Sequence, residues 1–156
     1  MEFEKEISQL NQKTRDIDKL IRDIHKNLVQ YTKLNLKQNG LTMPRFTVLW
    51  HITKAQPVNM SYLHKKMYIA NSTLTIIVDK LVEEGLVKRY RNPDDRRVVL
   101  LELTKDGDEL LCKMLALRQS FLEKALQDLD STEQRTLIKL LGTILDNLQN
   151  DVKQGN

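Results

Sequence analysis

The sequence is short of cysteine, glycine, proline and aromatic residues. Cys112 is the single cysteine among 156 residues, so neither an intrachain disulfide nor a cysteine-rich metal site can form. Five glycines and three prolines are too few for a collagen-like or low-complexity chain. The remainder is rich in leucine and in charged residues, which is typical of one mostly helical globular domain.

Other absences limit the class of function. No apolar run approaches the ~20 residues of a membrane helix, and residues 1–4 lack the basic and apolar regions of a signal peptide. We therefore expect a soluble cytoplasmic protein with no membrane partner. The histidines His25, His51 and His64 form no ligand-spaced cluster with carboxylates, and no nucleophile–base pair or glycine-rich phosphate loop stands out. The sequence thus predicts no metal, no cofactor and no enzymatic activity.

The stretch from residue 59 to residue 104 combines two helical segments with a basic hairpin. Residues 59–67 and 71–84 have a helical pattern, whereas residues 86–103 indicate a strand, a turn and a second strand. Between residues 86 and 97, five basic side chains stand against two acidic ones, a net charge of +3. This order is typical of a winged helix-turn-helix, which places one helix in a DNA groove and a hairpin beside it.

Long amphipathic helices flank this stretch. In the first 31 residues, apolar or near-apolar side chains recur at spacings of three and four, which predicts one long helix ending at Asn39-Gly40. Such a helix is too long to bury its seam inside a small domain. We therefore expect part of it, with the leucine-rich residues 137–148, to contact a second chain; an intramolecular bundle is the alternative. The seam consists of Ile7, Leu10, Thr14, Ile17, Ile21, Ile24, Leu28 and Tyr31.

Further local predictions concern packing and helix ends. Cys112 lies among Leu110, Leu111 and Met114, so we expect an inert core cysteine rather than a redox sensor. Gly142, inside the last helix, suggests the close approach of another helix. The expected helix caps are Thr42, Asn59 and Thr104, with a capping box formed by Ser131 and Gln134.

The central stretch resembles a known family at two consecutive motifs. The first reads Val78-Asp79-Lys80-Leu81-x-x-x-Gly85-Leu86-Val87-x-Arg89, and the second reads Asp95-Arg96-Arg97-x-x-x-Leu101-x-Leu103-Thr104-x-x-Gly107. Together they resemble the MarR family of bacterial transcriptional regulators, with agreement in element order over about residues 17–148. The resemblance implies a mainly α fold with a small β-hairpin wing. It also implies a homodimer built from long N- and C-terminal dimerisation helices, which presents two winged helices to double-stranded DNA with an approximately palindromic operator.

The resemblance also implies an organisation of the chain and a set of DNA-binding residues. Residues 1–38 and 105–150 would form the dimerisation helices and residues 41–104 the DNA-binding lobe, within one compact domain. The recognition helix would span residues 71–84 and the wing residues 91–97, with Arg97 in the minor groove and Asp95 bracing it. The implied DNA-binding residues are Asn71, Ser72, Thr73, Thr75, Ile76, Lys80, Lys65, Lys66, Arg89, Arg91, Arg96 and Arg97.

Two positions depart from the family pattern. Ala70 stands where a serine often caps the recognition helix. Ile76 occupies a place where many members have an arginine that faces DNA. The second departure favours readout through Ser72, Thr73 and Thr75, or through apolar contact with a thymine methyl group.

The predicted function is a sequence-specific transcriptional repressor that responds to a small anionic or phenolic effector. The resemblance implies an effector crevice between the dimerisation helices and the DNA-binding lobe. Residues that could line it are His25, Tyr31, Trp50 and His51; ordinary core packing of Tyr31 and Trp50 is the alternative. The rival function is a dimeric winged-helix module for protein contacts or for nonspecific DNA architecture.

Overall fold

The structure is a computed structural model that describes residues 11–154, with the side chains of residues 11–151. The predicted seam positions Ile7 and Leu10 lie outside the described residues. The described part is mainly helical with a small β-sheet, as predicted. In chain order its elements are α1 (Gln12–Gln38), α2 (Met43–Ala55), β1 (Val58–Asn59), α3 (Met60–Met67), α4 (Asn71–Glu83), β2 (Val87–Arg91), β3 (Val99–Leu103), α5 (Lys105–Ala125) and α6 (Ser131–Gln154).

Helix α1 leaves most of its apolar seam exposed. It begins after Asn11, whose Oδ1 accepts the N–H of Lys13 at 2.9 Å, and it ends before Gly40, which has a φ of +68°. Glycine adopts this conformation at little cost, so the predicted helix end is confirmed. The buried residues of α1 are Thr32 and Leu36, both near its C-terminal end. The exposed seam residues are Thr14, Ile17, Ile21 and Ile24.

The hydrophobic core lies where α2, α3 and α4 meet the sheet. In each helix the apolar side chains recur three or four residues apart, so they lie on one face, and this face is buried against the other elements. Burying one such leucine or isoleucine contributes about 1.5–3 kcal/mol, and this cluster therefore fixes the positions of the helices that surround it. Its fully covered members include Val48, Leu49, Ile52, Leu63, Leu74, Val78, Leu81, Val87 and Leu101.

The two predicted caps of the helix-turn-helix differ in their hydrogen bonding. Asn59 caps α3 as predicted, because its Oδ1 accepts the N–H of Tyr62 at 2.9 Å. Thr42 is the N-cap residue of α2, as predicted, but its side chain makes no capping hydrogen bond. Pro44 in the first turn of α2 lacks an N–H group, which removes one of the donors that such a cap would accept.

A three-stranded antiparallel sheet in the order β1–β3–β2 carries the wing. Strands β2 and β3 form the predicted hairpin, with Val87 opposite Leu103. Strand β1 adds a short third strand by pairing Val58 with Leu101. It was not predicted, because two residues are too few to show an alternating pattern.

The start of α5 is pressed against the backbone that follows the end of α4. Thr104 Oγ1 donates a hydrogen bond to the carbonyl oxygen of Gly85 at 2.6 Å and accepts the N–H of Gly107 at 3.1 Å. The predicted cap at Thr104 is therefore confirmed. A Cβ atom at Gly107 would lie 2.0 Å from the carbonyl oxygen of Leu86, so a residue without a side chain is required at this position.

Cys112 is exposed, and the prediction of a core cysteine is wrong. The buried residues around it on α5 are Leu111 and Met114. These two residues are three apart and share one face of the helix, whereas Cys112 is turned about 100° from Leu111 and points away from that face.

The capping box at the start of α6 lies one residue before the predicted one. Asp130 Oδ1 accepts the N–H groups of Thr132 and Glu133, at 2.6 and 2.9 Å. Glu133 Oε2 in turn accepts the N–H of Asp130 at 2.8 Å. The prediction of Ser131 and Gln134 is wrong because an aspartate was equally able to begin the same i, i+3 pattern.

The described residues up to Arg118 form one compact unit, and those from Gln119 onward form a second. In the second unit, a methyl group added at Gly142 would meet no atom of the described residues within 4 Å outside its own helix. None of the helices in residues 11–154 is both long and apolar enough to cross a membrane. The exposed apolar side chains of α6 include Leu140, Leu141, Ile144, Leu145 and Leu148.

Candidate nucleic-acid interface

Helix α4 has one buried face and one exposed face. Leu74, Val78 and Leu81 are fully buried in the core, which turns the intervening positions outward. Ala70, at the helix start, makes no side-chain capping bond, so the first amide groups of α4 have no side-chain cap. The exposed face presents Asn71, Ser72, Thr73, Thr75, Ile76 and Lys80.

The wing turn is held by its own hydrogen bonds. The N–H of Asn92 donates to the carbonyl oxygen of Val98 at 2.9 Å, and the N–H of Val98 donates to the carbonyl oxygen of Asp95 at 2.9 Å. The side chains also contribute, because Asn92 Oδ1 accepts the N–H of Asp94 at 3.0 Å. Asp95 Oδ1 accepts the N–H of Arg97 at 2.9 Å, so this carboxylate fixes the backbone of Arg97 and leaves its guanidinium available.

Two arginines at the end of the wing, Arg96 and Arg97, are exposed. Within the part of the chain that the structure describes, no carboxylate forms a salt bridge with Arg96 or Arg97. Arg91 instead braces the turn, because its Nη1 donates to the carbonyl oxygen of Arg96 at 2.8 Å. The wing therefore projects positive charge from a short and internally bonded loop.

Two of the predicted phosphate-binding residues are already paired. Arg89 Nη2 lies 2.5 Å from Asp79 Oδ1, which joins β2 to α4. Lys80 Nζ lies 2.9 Å from Glu83 Oε2 within α4. Such exposed pairs contribute only about 0–1 kcal/mol, so exchanging either carboxylate for a DNA phosphate would cost little.

Glu102 organises the other face of the hairpin, a role that the sequence analysis missed. Its Oε2 lies 2.5 Å from Lys88 Nζ, and its Oε1 accepts a hydrogen bond from the Tyr90 hydroxyl at 2.5 Å. The bond from Lys88, followed by that from Tyr90, lowers the pKa of Glu102, while the same carboxylate raises the pKa of Tyr90. Lys88 and Glu102 face each other in the hairpin register. A register assigned from the sequence could have revealed this contact.

The turn between α3 and α4 exposes an aromatic side chain. Tyr68 is 92% exposed and has a φ of +51°, a conformation that non-glycine residues adopt at a cost. Its N–H donates to the carbonyl oxygen of His64 at 3.3 Å. Lys65 and Lys66 are exposed in the last turn of α3, beside this residue.

The four residues predicted for an effector crevice have different surroundings in the described chain. His25 lines a shallow hollow of about 480 Å³ along α1, and Tyr31, Trp50 and His51 are absent from its described lining. Trp50 is partly buried against the core and lies under Lys54 Nζ at 4.2 Å from its ring centre. Burial, and then the charge of Lys66, lower the pKa of His51, which favours a neutral imidazole. The described residues that line the hollow are His25, Lys26, Val29, Gln30 and Lys33.

The titratable side chains of the described residues were compared with the arrangements that hold metal ions. No group of three or more histidine, cysteine, aspartate or glutamate side chains there is placed to hold a metal ion. The polar chemistry of the surface is instead that of arginine, lysine and small hydroxyl and amide side chains. Such groups bind phosphates and the edges of bases.

Comparisons with known proteins agree on one family. The family model described as the MarR family matches residues 41–99. The chain is 30% identical to the HTH-type transcriptional regulator YsmB of Bacillus subtilis, over 80% of this chain and 88% of that protein. It is 26% identical to the HTH-type transcriptional repressor MdtR of the same organism, over 90% of this chain and 95% of that one. A solved MarR family protein from Bacillus stearothermophilus has a TM-score of 0.81 at 28% identity, with 90% of this chain and 99% of that chain covered.

Proposed function

Because the chain belongs to the MarR family of transcriptional regulators, which are not enzymes, we propose that it is a sequence-specific repressor of transcription. In this proposal a homodimer binds a pseudo-palindromic operator and blocks a promoter. The repressor MdtR is a relative over most of the chain, which supports repression over activation. The protein would act in the cytoplasm, where its operator lies.

The observation that carries this proposal is the pairing of the exposed face of α4 with a basic wing. Asn71, Ser72 and Thr73 stand at the N-terminal end of α4, the part of a recognition helix that reaches base edges in the major groove. Arg96 and Arg97, whose guanidinium groups have no ion-pair partner among the described residues, project from the neighbouring wing. A narrow minor groove has an enhanced negative potential, so an arginine on a short hairpin can enter it favourably.

Phosphate contacts would supply the affinity that does not depend on sequence. Lys65 and Lys66 are exposed beside the recognition helix, and Arg89 and Lys80 can exchange weak surface ion pairs for phosphate. Each neutralised phosphate releases counterions, so operator affinity should fall steeply with added salt.

Dimerisation is supported by apolar surface that the described chain leaves uncovered. Ile17, Ile21 and Ile24 on α1 are exposed, and α6 exposes a row of leucine and isoleucine side chains. Large exposed apolar patches mark interaction sites in soluble proteins. We assign residues 1–38 and 105–150 to dimerisation and residues 41–104 to DNA binding, as the family resemblance suggests.

Regulation by a ligand is the finer part of the proposal. A small anionic or phenolic effector would bind near the dimerisation helices and favour a spacing of the two lobes that no longer fits the operator. His25, together with the cationic Lys26 and Lys33, gives the hollow on α1 a composition suited to an anion. Trp50, which is partly exposed, offers a fluorescence signal for ligand titrations.

Selection from a random duplex library tests the proposed function. The purified full chain is incubated with the library at about 150 mM salt, and the retained DNA is sequenced. We expect an enriched inverted repeat, bound about 10³-fold or more above random duplex, with half-sites about ten base pairs apart. Retention without enrichment would instead support the rival role in nonspecific DNA architecture. No retention would contradict DNA binding and favour a protein partner.

A further inference from the structure

The centre of the exposed face of α4 is apolar. Ile76 is 70% exposed and is not a member of the hydrophobic core. Ser72, Ile76 and Lys80 are four residues apart and form one row along the outside of the helix. Ile76 therefore lies one turn beyond the polar side chains at the start of α4, in the middle of the proposed groove-facing surface.

The polar side chains beside Ile76 in the sequence and in the next turn of α4, those of Thr75, Asp79 and Lys80, are engaged within the protein. The Thr75 hydroxyl donates to the carbonyl oxygen of Asn71 at 2.9 Å. Toward the C-terminal end of α4, Asp79 pairs with Arg89 and Lys80 pairs with Glu83. Hydrogen-bonding readout is therefore concentrated at the first turn of α4, while the surface around Ile76 has little to offer a polar base edge.

We propose that Ile76 is a specificity-determining residue that packs against the C5-methyl group of a thymine in each operator half-site. Thymine is the base that presents an apolar group in the major groove, next to its O4 acceptor. An isoleucine side chain that packs on this methyl group buries apolar surface, which favours binding. Against another base, the same side chain would exclude water from polar donors and acceptors without offering them a hydrogen bond. The inference rests on the proposed function, since it requires α4 to enter the major groove of a specific site.

The expected size of the effect follows from the burial of one methyl group. Covering one such group from water is worth about a fourfold change in affinity. A dimer that uses Ile76 in both half-sites should therefore lose about fifteenfold when both methyl groups are removed. The polar contacts at Asn71, Ser72 and Thr73 would be untouched by this change.

Replacing thymine by uracil isolates the methyl group. A U·A pair keeps every hydrogen-bonding group of a T·A pair and lacks only the C5-methyl. Starting from the selected operator, each thymine is replaced by uracil at symmetric positions of both half-sites, and affinity is measured by fluorescence anisotropy. We expect one symmetric pair of positions at which uracil lowers the operator affinity of the wild-type protein about fifteenfold. The Ile76→Ala variant should bind the thymine and uracil operators equally, within about twofold.

The Ser72→Ala variant is the matched control on the same row of the helix. It should weaken binding to both operators but keep the ratio between thymine and uracil seen in the wild type. Thermal melting of Ile76→Ala checks its folding, which an exposed helix position should preserve. Uracil tolerance at every position, or a ratio that persists in Ile76→Ala, would overturn the inference while leaving the proposed function intact. If the protein binds every duplex no more tightly than random DNA, both the inference and the proposed function are overturned.

Discussion

At the scale of single residues, the basic side chains of the proposed DNA surface divide into held and free groups. Arg89 is held by Asp79 across two elements, so part of its gain from a phosphate is offset by the ion pair that it gives up. Arg97 has its backbone fixed by Asp95 but has no salt-bridge partner for its guanidinium in the described chain. The free group should therefore contribute more to binding and less to folding.

Removing the free guanidinium should separate these two effects. We expect Arg97→Ala to weaken operator binding at least tenfold, because it removes the guanidinium proposed to enter the minor groove. The free energy of unfolding should change by less than about 0.5 kcal/mol, because the side chain makes no ion pair and the N–H that Asp95 accepts remains. Gel-shift titration and chemical denaturation measure the two quantities.

Arg135→Ala is the control for the lost charge. Arg135 is an exposed arginine of α6, bonded only to the Thr132 hydroxyl among the contacts described. Arg135 lies on a proposed dimerisation helix, so light scattering first checks that the variant keeps the mass of the wild type. With that mass unchanged, its replacement changes the net charge equally and should alter operator affinity by less than about twofold. Equal losses in the two variants would attribute the effect to general charge and exclude a minor-groove role for Arg97.

The residue scale also shows how far the site could be predicted from the sequence. The exposed face of α4 follows from helical periodicity, because Leu74, Val78 and Leu81 fix the buried side. The pairing of Arg89 with Asp79 joins positions ten residues apart on different elements, and no local pattern encodes such a contact. The sequence alone could therefore identify the basic groups, but it could not separate the free ones from those already paired.

At the scale of helices and strands, the predictions from long periodic patterns were reliable, whereas those from short local patterns were confirmed at Asn59 and Thr104 but not at Ser131. Helical spacing of the apolar residues and the glycine at position 85 predict the extent of α4. The β-prone runs on either side of the turn predict the hairpin. Strand β1 has only two residues, and Asp130 displaced Ser131 as a cap because both side chains can accept an amide hydrogen bond. Such choices depend on the three-dimensional path of the chain.

The junction between the hairpin and α5 provides a test at this scale. Gly107→Ala should lower the free energy of unfolding by about 2–3 kcal/mol, because its Cβ would lie 2.0 Å from the Leu86 carbonyl oxygen and the helix start would have to move. Denaturant unfolding, followed by circular dichroism at one fixed protein concentration, measures the change.

Gly142→Ala is the matched control, since it replaces another glycine inside a helix. No atom outside its own helix lies within 4 Å of the added methyl group among the described residues. Alanine should therefore raise the free energy of unfolding by about 0.5–1 kcal/mol. A Gly107→Ala protein as stable as the wild type would contradict the close approach of α5 to Leu86.

At the scale of the whole molecule, the proposal combines two kinds of exposed surface. The winged-helix lobe exposes polar and basic groups suited to DNA, whereas α1 and α6 expose apolar side chains suited to a second copy of the chain. A dimer with two-fold symmetry would present two recognition helices, and its operator would have matching symmetry. The distance between half-sites would then be a fixed property of the protein.

The most direct measurement of this account compares operators that differ only in the spacing of their half-sites. Affinity of the wild-type protein is measured for the selected operator, for the same operator with five base pairs inserted at its centre, and for a single half-site. Five base pairs move the second half-site to the opposite side of the duplex, so we predict at least a tenfold loss, down to the affinity of the single half-site. Equal affinity for all three duplexes would contradict a dimeric, sequence-specific regulator.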